Sequence, residues 1–249
     1  MPTITAAIMT KNEALDIASC IESVLWMDEV IILDSGSTDG TQDICRKYNV
    51  KLFATDWPGF GEQSNRCIEM SNSDWCFLLD ADEKVTPELK DDIIQAINNV
   101  DNIVAYRVPR LNFFHKRAIK HCLNPKKDTP MRLVKKGFAQ YAEIVHPTVK
   151  INGKTGMLKN YLLHYPFQNL AELLDKMNSY STLSAEKLFT KKVKSGVVKA
   201  LSHAIWSFIK LYFLKGGFLD GWPGLLIAFG NFEGTFYRYA KLMELGHPN

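Results

Sequence analysis

The first hundred residues alternate between short apolar runs and amphipathic stretches. Apolar runs over residues 3–9, 29–34, 50–55 and 74–83 predict four strands, and the polar-apolar stretches that follow them predict helices. The runs are apolar throughout, which is typical of parallel strands covered by helices on both faces. The order strand, helix, strand, helix predicts an α/β doubly wound half.

The pattern of strands and helices becomes less regular from residue 86 onwards. Thr86 and Pro87 predict the start of a helix, because threonine is a good N-cap and proline suits the first helical turn. Further strands are predicted over 102–114, 131–136 and 141–151. Helices are then predicted over 170–189, 197–214 and 225–245. A boundary near Pro166 would separate a catalytic domain, 1–165, from a helical C-terminal region, 166–249.

Polar clusters follow three of the predicted strands, at residues 10–13, 34–39 and 80–83. In a parallel sheet the carboxyl ends of the strands meet at one edge, where loops and helix N-termini present free backbone donors. We therefore expect the three clusters to share one crevice.

The third cluster ends an apolar strand with Asp80 and Asp82, one residue apart. Two such carboxylates suit a hard divalent cation, Mg²⁺ or Mn²⁺, whose coordination shell is completed by water and phosphate oxygens. The alternative is that the acids cap the next helix or solvate a loop, and this alternative would be preferred for an isolated D-x-D.

Composition narrows the class of protein. Of 249 residues, 46% are apolar and 23% charged, as in globular chains. The 30 basic and 27 acidic residues are too balanced to indicate a nucleic-acid binder. Five cysteines with no C-x-x-C pair argue against a disulfide framework or zinc site and favour a reducing cytosol. The N-terminal residues show no secretory signal pattern.

The combination of MTKNE, ILDSGSTDGT, GFGEQSN and DWCFLLDADEKVTPEL, in this order, resembles the family 2 glycosyltransferases of GT-A fold. The resemblance implies a fold with a mostly parallel central sheet, a UDP-sugar donor and a divalent cation. It implies that Asp34 contacts uracil or ribose, that Asp80 lies near the ribose or the metal, and that Asp82 is the main metal ligand. Further donor contacts are implied at Thr10, Asn12, Glu13, Asn65, Arg66 and Ala81.

A narrower resemblance covers nearly the whole chain. WPGFGEQSN, YRVPRLNFF, MRLVKK and YFLKGGFLDGWPGLLIAF resemble the bacterial lipopolysaccharide inner-core β-1,4-glucosyltransferases. This resemblance implies transfer of glucose from UDP-glucose to a heptose of a lipid-anchored acceptor, at the cytoplasmic face of the inner membrane. Alternatives are another UDP-sugar, a polyprenyl-phosphate acceptor, or a non-catalytic nucleotide-sugar binder.

An inverting transferase needs a general base on the acceptor side of the crevice. Related chains commonly have V-H-E where this one has V-H-P, so the candidates are Glu143, the acid nearest in sequence, and His146. Arg107, Arg110 and Arg132 are candidates to bind an anionic acceptor, since a guanidinium matches phosphate geometry. The alternative is that these arginines pair with nearby acids.

The predicted C-terminal helices carry aromatic residues among lysines, between 206 and 215. No uncharged apolar run approaches the ~20 residues that span a bilayer. Because the enzymes that this chain resembles act on a lipid-anchored acceptor, the resemblance implies peripheral binding to an anionic membrane surface, with lysines at the phosphates and some aromatics in the interface. The alternative is that the aromatics only pack the helical core.

Overall fold

The computed structural model describes residues 1–99, 101–142 and 148–246. The chain divides into two compact units, and both are assembled from two segments. The first unit is Met1–Arg110 with Pro125–His164, and the second is Leu111–Asn124 with Tyr165–Asn249. Each unit is described separately below.

A seven-stranded sheet forms the centre of the first unit. Its strands are β1 (Ile4–Thr10), β2 (Glu29–Asp34), β3 (Lys51–Ala54), β4 (Trp75–Asp80), β6 (Ile103–Arg107), β9 (Met131–Lys135) and β12 (Lys154–Met157). They lie in the order β12-β6-β9-β4-β1-β2-β3. Strands β4, β1, β2 and β3 are parallel neighbours, whereas β9 runs antiparallel to both β4 and β6. The sheet is therefore parallel in the half that the sequence identified as doubly wound.

Both faces of this sheet are covered, which explains why its strands are apolar throughout. In β1, Ile8 faces a core formed with α1 and α4, and Met9 faces a second core formed with α3. All seven residues of β1 are buried. The helices of this unit are α1 (Ile17–Val24), α2 (Thr41–Cys45), α3 (Phe60–Met70) and α4 (Pro87–Ile97). The prediction of helices on both faces of a mostly parallel sheet is confirmed.

The N-terminus of α4 also follows the sequence prediction. The Thr86 hydroxyl accepts a hydrogen bond from the backbone N–H of Leu89 at 3.1 Å, and Pro87 occupies the first helical position. Both features satisfy or remove donors that the first turn would otherwise leave unpaired.

Two predicted strands are each divided. The predicted strand at 102–114 is β6 followed by β7 (Arg110–Phe114), which belong to different sheets. Pro109 lies between them, and a proline cannot donate to a continuous ladder. The predicted strand at 74–83 turns after Asp80, and β5 (Glu83–Val85) then pairs antiparallel with the start of β13 (Leu162–Phe167). Asp80 therefore ends the buried strand, and Asp82 lies in the turn that follows it.

The first unit also contains a hairpin, formed by β10 (Ala139–Ala142) and β11 (Thr148–Ile151). The second unit contains the pairing of residues 112–114 with β8 (Arg117–Ile119), and three long helices. These helices are α5 (Leu170–Thr190), α6 (Val197–Ile209) and α7 (Trp222–Leu245), with a π-helical turn at Lys210–Leu214 and a 3-10 turn at Gly217–Asp220.

The GFLDGWPG segment of the second unit is a close-packed corner. A Cβ atom added at Gly224 would lie 2.0 Å from the backbone oxygen of Gly217, so only glycine fits at this position. Asp220, in the same segment, accepts backbone hydrogen bonds from Lys120, His121 and Cys122 at distances from 2.8 to 3.2 Å. The segment thus joins α7 to the chain after β8.

Glu29 anchors the start of β2, and its environment gives a test of the sheet. Its carboxylate accepts hydrogen bonds from Lys51 at 2.5 Å, Thr5 at 2.7 Å and Asn72 at 2.9 and 3.0 Å. Burial alone would raise the pKa of Glu29, but these hydrogen bonds lower the pKa from 4.5 to about 2.

Because that pKa is depressed, the contribution of Glu29 to stability is complete above pH 4.5 and is lost as the pH falls towards 2. We predict that Glu29→Gln lowers the free energy of unfolding at neutral pH, and that the difference from wild type shrinks across this window. Denaturant unfolding of both proteins at several pH values measures this difference in the free energy of unfolding. The exposed Glu69→Gln is the matched control, and a Glu29→Gln difference that stayed constant down to pH 2 would contradict the prediction.

Candidate active site

The carboxyl ends of β4, β1 and β2 bring the three polar clusters to one edge of the sheet. In the strand register Thr10 is opposite Asp34, and Met9 is opposite Asp80. The chain leaves all three strands at this level. The clusters at 10–13, 34–39 and 80–83 therefore lie side by side, in the order in which the strands pair.

The first two clusters are joined by hydrogen bonds between their loops. The backbone N–H of Asn12 donates to the Ser37 hydroxyl at 2.8 Å, and the Asn12 side-chain oxygen accepts from the backbone N–H of Thr38 at 2.8 Å. The backbone N–H of Glu13 donates to the Thr41 hydroxyl at 2.9 Å. Asn12 itself has a left-handed φ of +57°, a conformation that asparagine tolerates better than most residues. Asn12 therefore fixes the path of the loop.

Asp34 uses one carboxylate oxygen for the structure of its own loop. Its Oδ1 accepts from Gln42 at 2.6 Å and from the backbone N–H groups of Ser37 at 3.0 Å and Gly36 at 3.2 Å. Its Oδ2 and the hydroxyl of Thr10 are buried and have no hydrogen-bond partner among the described residues. An acceptor and a hydroxyl in this condition, on adjacent strands, can satisfy donors and acceptors that a ligand brings.

The third cluster contains a buried charge network. Glu83 is fully buried, and its Oε1 accepts from Arg132 at 2.6 Å and from Arg110 at 3.2 Å. Its Oε2 accepts from the backbone N–H of Asp80 at 3.0 Å. The Arg132 guanidinium also donates to the Asp80 carboxylate, and Arg110 pairs with Asp128 at 2.9 Å. Two guanidinium groups thus lie among three carboxylates.

Burial and charge act in opposite directions on these groups. Desolvation raises the pKa of the Glu83 carboxyl above its ordinary value, although Arg132 and Arg110 oppose the shift. Burial would lower the pKa of Arg132, but Asp80 and Glu83 outweigh burial, and the pKa of this guanidinium is raised. Arg132 therefore stays charged, and it holds Asp80 and Glu83 together.

Asp82 lies at the turn between β4 and β5. Its side chain is 11% exposed, and its Oδ2 is 3.5 Å from Nε2 of His164 on β13. Asp80, by contrast, is bound directly by Arg132. Within the described residues no group of three or more histidine, cysteine, aspartate or glutamate side chains could hold a metal. A hard divalent cation bound to a diphosphate needs only one or two carboxylates from the protein, and Asp82 has the ligand type for such a site.

The other candidate donor contacts lie in varied surroundings. Ala81 is buried, and its backbone N–H donates to Met9 at 3.2 Å. Arg66 pairs with the exposed Asp56 at 2.5 Å. Asn65 lies on α3 and lines a cavity of about 770 Å³ beside the β10–β11 hairpin.

Asn65 holds β10 through both atoms of its amide group. Its Nδ2 donates to the backbone oxygen of Tyr141 at 3.0 Å, and its Oδ1 accepts from the backbone N–H of Tyr141 at 2.8 Å. The Tyr141 hydroxyl in turn donates to the backbone oxygen of Met131 at 2.9 Å. Asn65 thus fixes the strand that leads, two residues later in the sequence, to Glu143.

The candidates for general base, Glu143 and His146, lie outside the described residues.

Of the three arginines expected to bind an acceptor, Arg107 is exposed and donates to the backbone oxygen of Thr129 at 3.0 Å. Arg110 and Arg132 are instead held by the carboxylates described above. Arg110 and Arg132 therefore match the alternative in which the arginines pair with nearby acids.

Sequence reasoning missed the role of Glu83, which the sequence analysis placed at the end of a predicted strand and gave no role in the site. The signal was present: an acid that follows D-x-D inside an apolar segment needs basic partners, and Arg110 and Arg132 are both in apolar strands. Asp128 and His164 gave no such signal, because each reaches the site only through the course of a distant strand or loop.

Comparison with known proteins identifies the class. The model of the glycosyl transferase family 2 matches residues 5–147, which include the carboxyl ends of β1, β2 and β4. The chain belongs to glycosyl transferase family 2, and its parallel-rich sheet with polar loops at the carboxyl edge has the GT-A architecture.

Relatives match along nearly the whole chain. An uncharacterized glycosyltransferase of Rickettsia felis is 33% identical over 98% of this chain and 90% of its own length. LpsC of Rhizobium meliloti, a lipopolysaccharide core biosynthesis glycosyltransferase, is 28% identical over 95% of this chain and 93% of its own length. The similarity therefore extends beyond the family domain into the helical C-terminal region.

Solved structures match over smaller parts. Glucosyl-3-phosphoglycerate synthase from Mycobacterium tuberculosis, in complex with Mn²⁺ and UDP-glucose, is 24% identical with a TM-score of 0.39. The match covers 45% of this chain and 44% of that one. Mannosyl-3-phosphoglycerate synthase from Rubrobacter xylanophilus is 17% identical with a TM-score of 0.40, over 45% of this chain and 41% of that one.

The buried network gives a prediction about stability. Glu83→Gln removes the charge that balances two guanidinium groups, so we expect a loss of about 3 to 5 kcal/mol in the free energy of unfolding. Denaturant unfolding measures the change. Glu88→Gln, at an exposed position in the first turn of α4, is the control and should cost no more than about 1 kcal/mol. Equal effects of the two substitutions would contradict the buried role of Glu83.

Proposed function

We propose that the protein is an inverting glycosyltransferase that moves glucose from UDP-glucose to a heptose of a lipopolysaccharide inner core. The observation that carries this proposal is the shared strand edge, where Asp34 and Thr10 lie beside the Asp80–Asp82 turn. The whole-length similarity to LpsC supports the acceptor class. The donor sugar rests on the resemblance in sequence.

In this proposal the edge binds the donor in two places. The buried Oδ2 of Asp34 accepts from the N–H of uracil or from a ribose hydroxyl, with Thr10 beside it. Asp82 is the main ligand of Mg²⁺ or Mn²⁺, because Arg132 already occupies Asp80. When bound, the cation supplies neutralisation of charge on the departing diphosphate. Asp80, fixed by Arg132 and by its backbone bond to Glu83, keeps the turn in place.

The acceptor hydroxyl must lose a proton to a base on the opposite side of the sugar from the diphosphate. Glu143 and His146 remain our candidates. Asn65 supports this assignment indirectly, since it fixes Tyr141, two residues before Glu143, at distances of 2.8 and 3.0 Å. Among the arginines proposed for an anionic acceptor, Arg107 has the exposed guanidinium this role needs.

The lipid-anchored acceptor calls for a membrane surface, and the second unit supports this part of the proposal. Large apolar side chains of its helices are exposed among lysines, including Trp206, Phe213 and Leu214 at 56%, 56% and 66%. The stretch Val197–Leu214 is apolar and long enough to cross a membrane, with a mean hydropathy of 1.3, by length and composition alone. The bounds of this stretch are those of the helix predicted over 197–214. We propose peripheral binding, because charged residues interrupt it at Lys199 and Lys210.

Asp82→Asn tests the catalytic role of the turn. The substitution removes the charge of the proposed metal ligand, so we expect release of UDP from UDP-glucose, in the presence of metal and a truncated core acceptor, to fall at least ~100-fold. Asp91→Asn, at an exposed position on α4, should leave the rate unchanged. A wild-type protein that released no UDP would support the rival binder, and a fully active Asp82→Asn variant would overturn the metal assignment.

The donor is tested separately with a panel of UDP-sugars under the same conditions. We expect consumption of UDP-glucose, because the narrower resemblance in sequence is to glucosyltransferases. Consumption of UDP-galactose or a UDP-N-acetylhexosamine alone would make the donor assignment wrong while leaving the transferase class intact.

Flotation with liposomes tests the membrane surface. We expect the protein to float with vesicles that contain anionic lipid, and less with neutral vesicles, because lysines accompany the exposed apolar side chains. The double substitution of Trp206→Ser and Phe213→Ser should reduce flotation. Absence of the wild-type protein from both kinds of vesicle would contradict peripheral binding.

A further inference from the structure

A cavity of about 460 Å³ opens within the second unit, among α5, α6, α7 and the π-helical turn. Part of its lining is apolar and comes from Leu173, Met177 and Ile227. Three basic side chains, Lys210, Lys215 and Arg238, line the same cavity. Among the residues that the structure describes, no aspartate or glutamate lines it. A cavity of this composition matches a molecule that has both an apolar part and an anionic group.

The basic side chains of this cavity are available to a ligand. Among the described residues none of the three forms a salt bridge. The Nε atom of Arg238 is buried and has no hydrogen-bond partner there either. Its guanidinium lies 4.8 Å from the ring centre of Tyr239, which holds it in place without neutralising it. A buried donor in this condition is costly unless something binds it.

The π-helical turn brings two of these lysines together. The backbone N–H of Lys215 donates to the backbone oxygen of Lys210 at 2.9 Å, which closes a five-residue turn. In an α-helix, residues five apart point in clearly different directions, whereas the wider π turn brings them closer to one face. Such turns are rare and occur often at functional sites. Lys210 and Lys215, at the two ends of this turn, both line the cavity.

We propose that this cavity binds one anionic phospholipid, with its phosphate held by Lys210, Lys215 and Arg238 and an acyl chain against Leu173, Met177 and Ile227. A phosphate has the charge and the oxygen acceptors that a guanidinium and two ammonium groups match. The exposed apolar side chains of α6, such as Ile205 and Trp206, provide an apolar surface beside the cavity. The bound lipid is separate from the nucleotide-sugar site and does not depend on the proposed transferase activity.

The test uses dihexanoylphosphatidic acid, kept below its micelle concentration so that no membrane surface is present. Binding is followed by calorimetry and by the fluorescence of Trp206, which lines the cavity. We expect saturable binding to one site with a shift in tryptophan emission that Trp206→Phe removes. Dihexanoylphosphatidylcholine and inorganic phosphate are the comparison ligands, and each should bind at least ~10-fold more weakly.

Variants separate this site from general attraction of the lipid to a basic protein. The double substitution of Lys210→Gln and Arg238→Gln should weaken binding at least ~10-fold, because two charged contacts to the phosphate are lost. Lys187→Gln with Lys191→Gln changes the charge equally at exposed positions outside the cavity and should leave binding intact. Circular dichroism confirms that the variants are folded.

Three results would overturn the proposal. The first is that inorganic phosphate binds as tightly as dihexanoylphosphatidic acid, and the second is that the zwitterionic dihexanoylphosphatidylcholine does so. The third is that the two double variants lose binding of dihexanoylphosphatidic acid to the same extent. Each can be told apart from failure of the proposed function, which is read from UDP release. A protein that binds the lipid but releases no UDP would keep this inference and refute the transferase activity.

Discussion

The candidate site depends on one buried carboxylate. Glu83 has no exposed surface, yet its carboxylate accepts hydrogen bonds from Arg132, Arg110 and the backbone N–H of Asp80. Removing two arginines from water is costly unless carboxylates balance them, so the loss of Glu83 would leave buried positive charge without its partner. Because Asp80 is bound at both its side chain and its backbone, the turn to Asp82 has a defined direction. The buried ion pairs therefore position Asp82, the residue proposed to bind the metal.

Much of the fold was predictable because it follows from local pattern. Unbroken apolar runs such as the one ending at Asp34 indicate burial on both faces, and several of them alternating with amphipathic helices are typical of a helix-covered parallel sheet. Thr86 and Pro87 marked a helix start for reasons that lie within four residues. The grouping of the polar clusters followed from the parallel order alone, since parallel strands end at one edge.

What could not be predicted depends on partners distant in sequence. Arg132 and Asp80 are 52 residues apart. The sequence around an arginine does not distinguish one that binds an acceptor from one that balances a buried acid. Asn65 presents the same difficulty. Its amide pairs with the backbone of Tyr141, 76 residues away, so a polar residue near the donor motifs turned out to hold a strand. Pro109 carried a local signal for the break between β6 and β7, which a reading by hydropathy alone passes over.

The segment that carries the narrower family resemblance has a structural explanation that bears on function. In GFLDGWPG, Gly224 permits backbone contact with Gly217, and Asp220 holds the backbone of residues 120–122. None of these contacts is chemistry on a sugar. They fix the corner where the π-helical turn with Lys210 and Lys215 ends and α7 begins. A sequence constraint of this kind preserves the shape of the helical unit. The proposed lipid-binding cavity requires that shape, whereas binding of the donor by residues of the first unit does not.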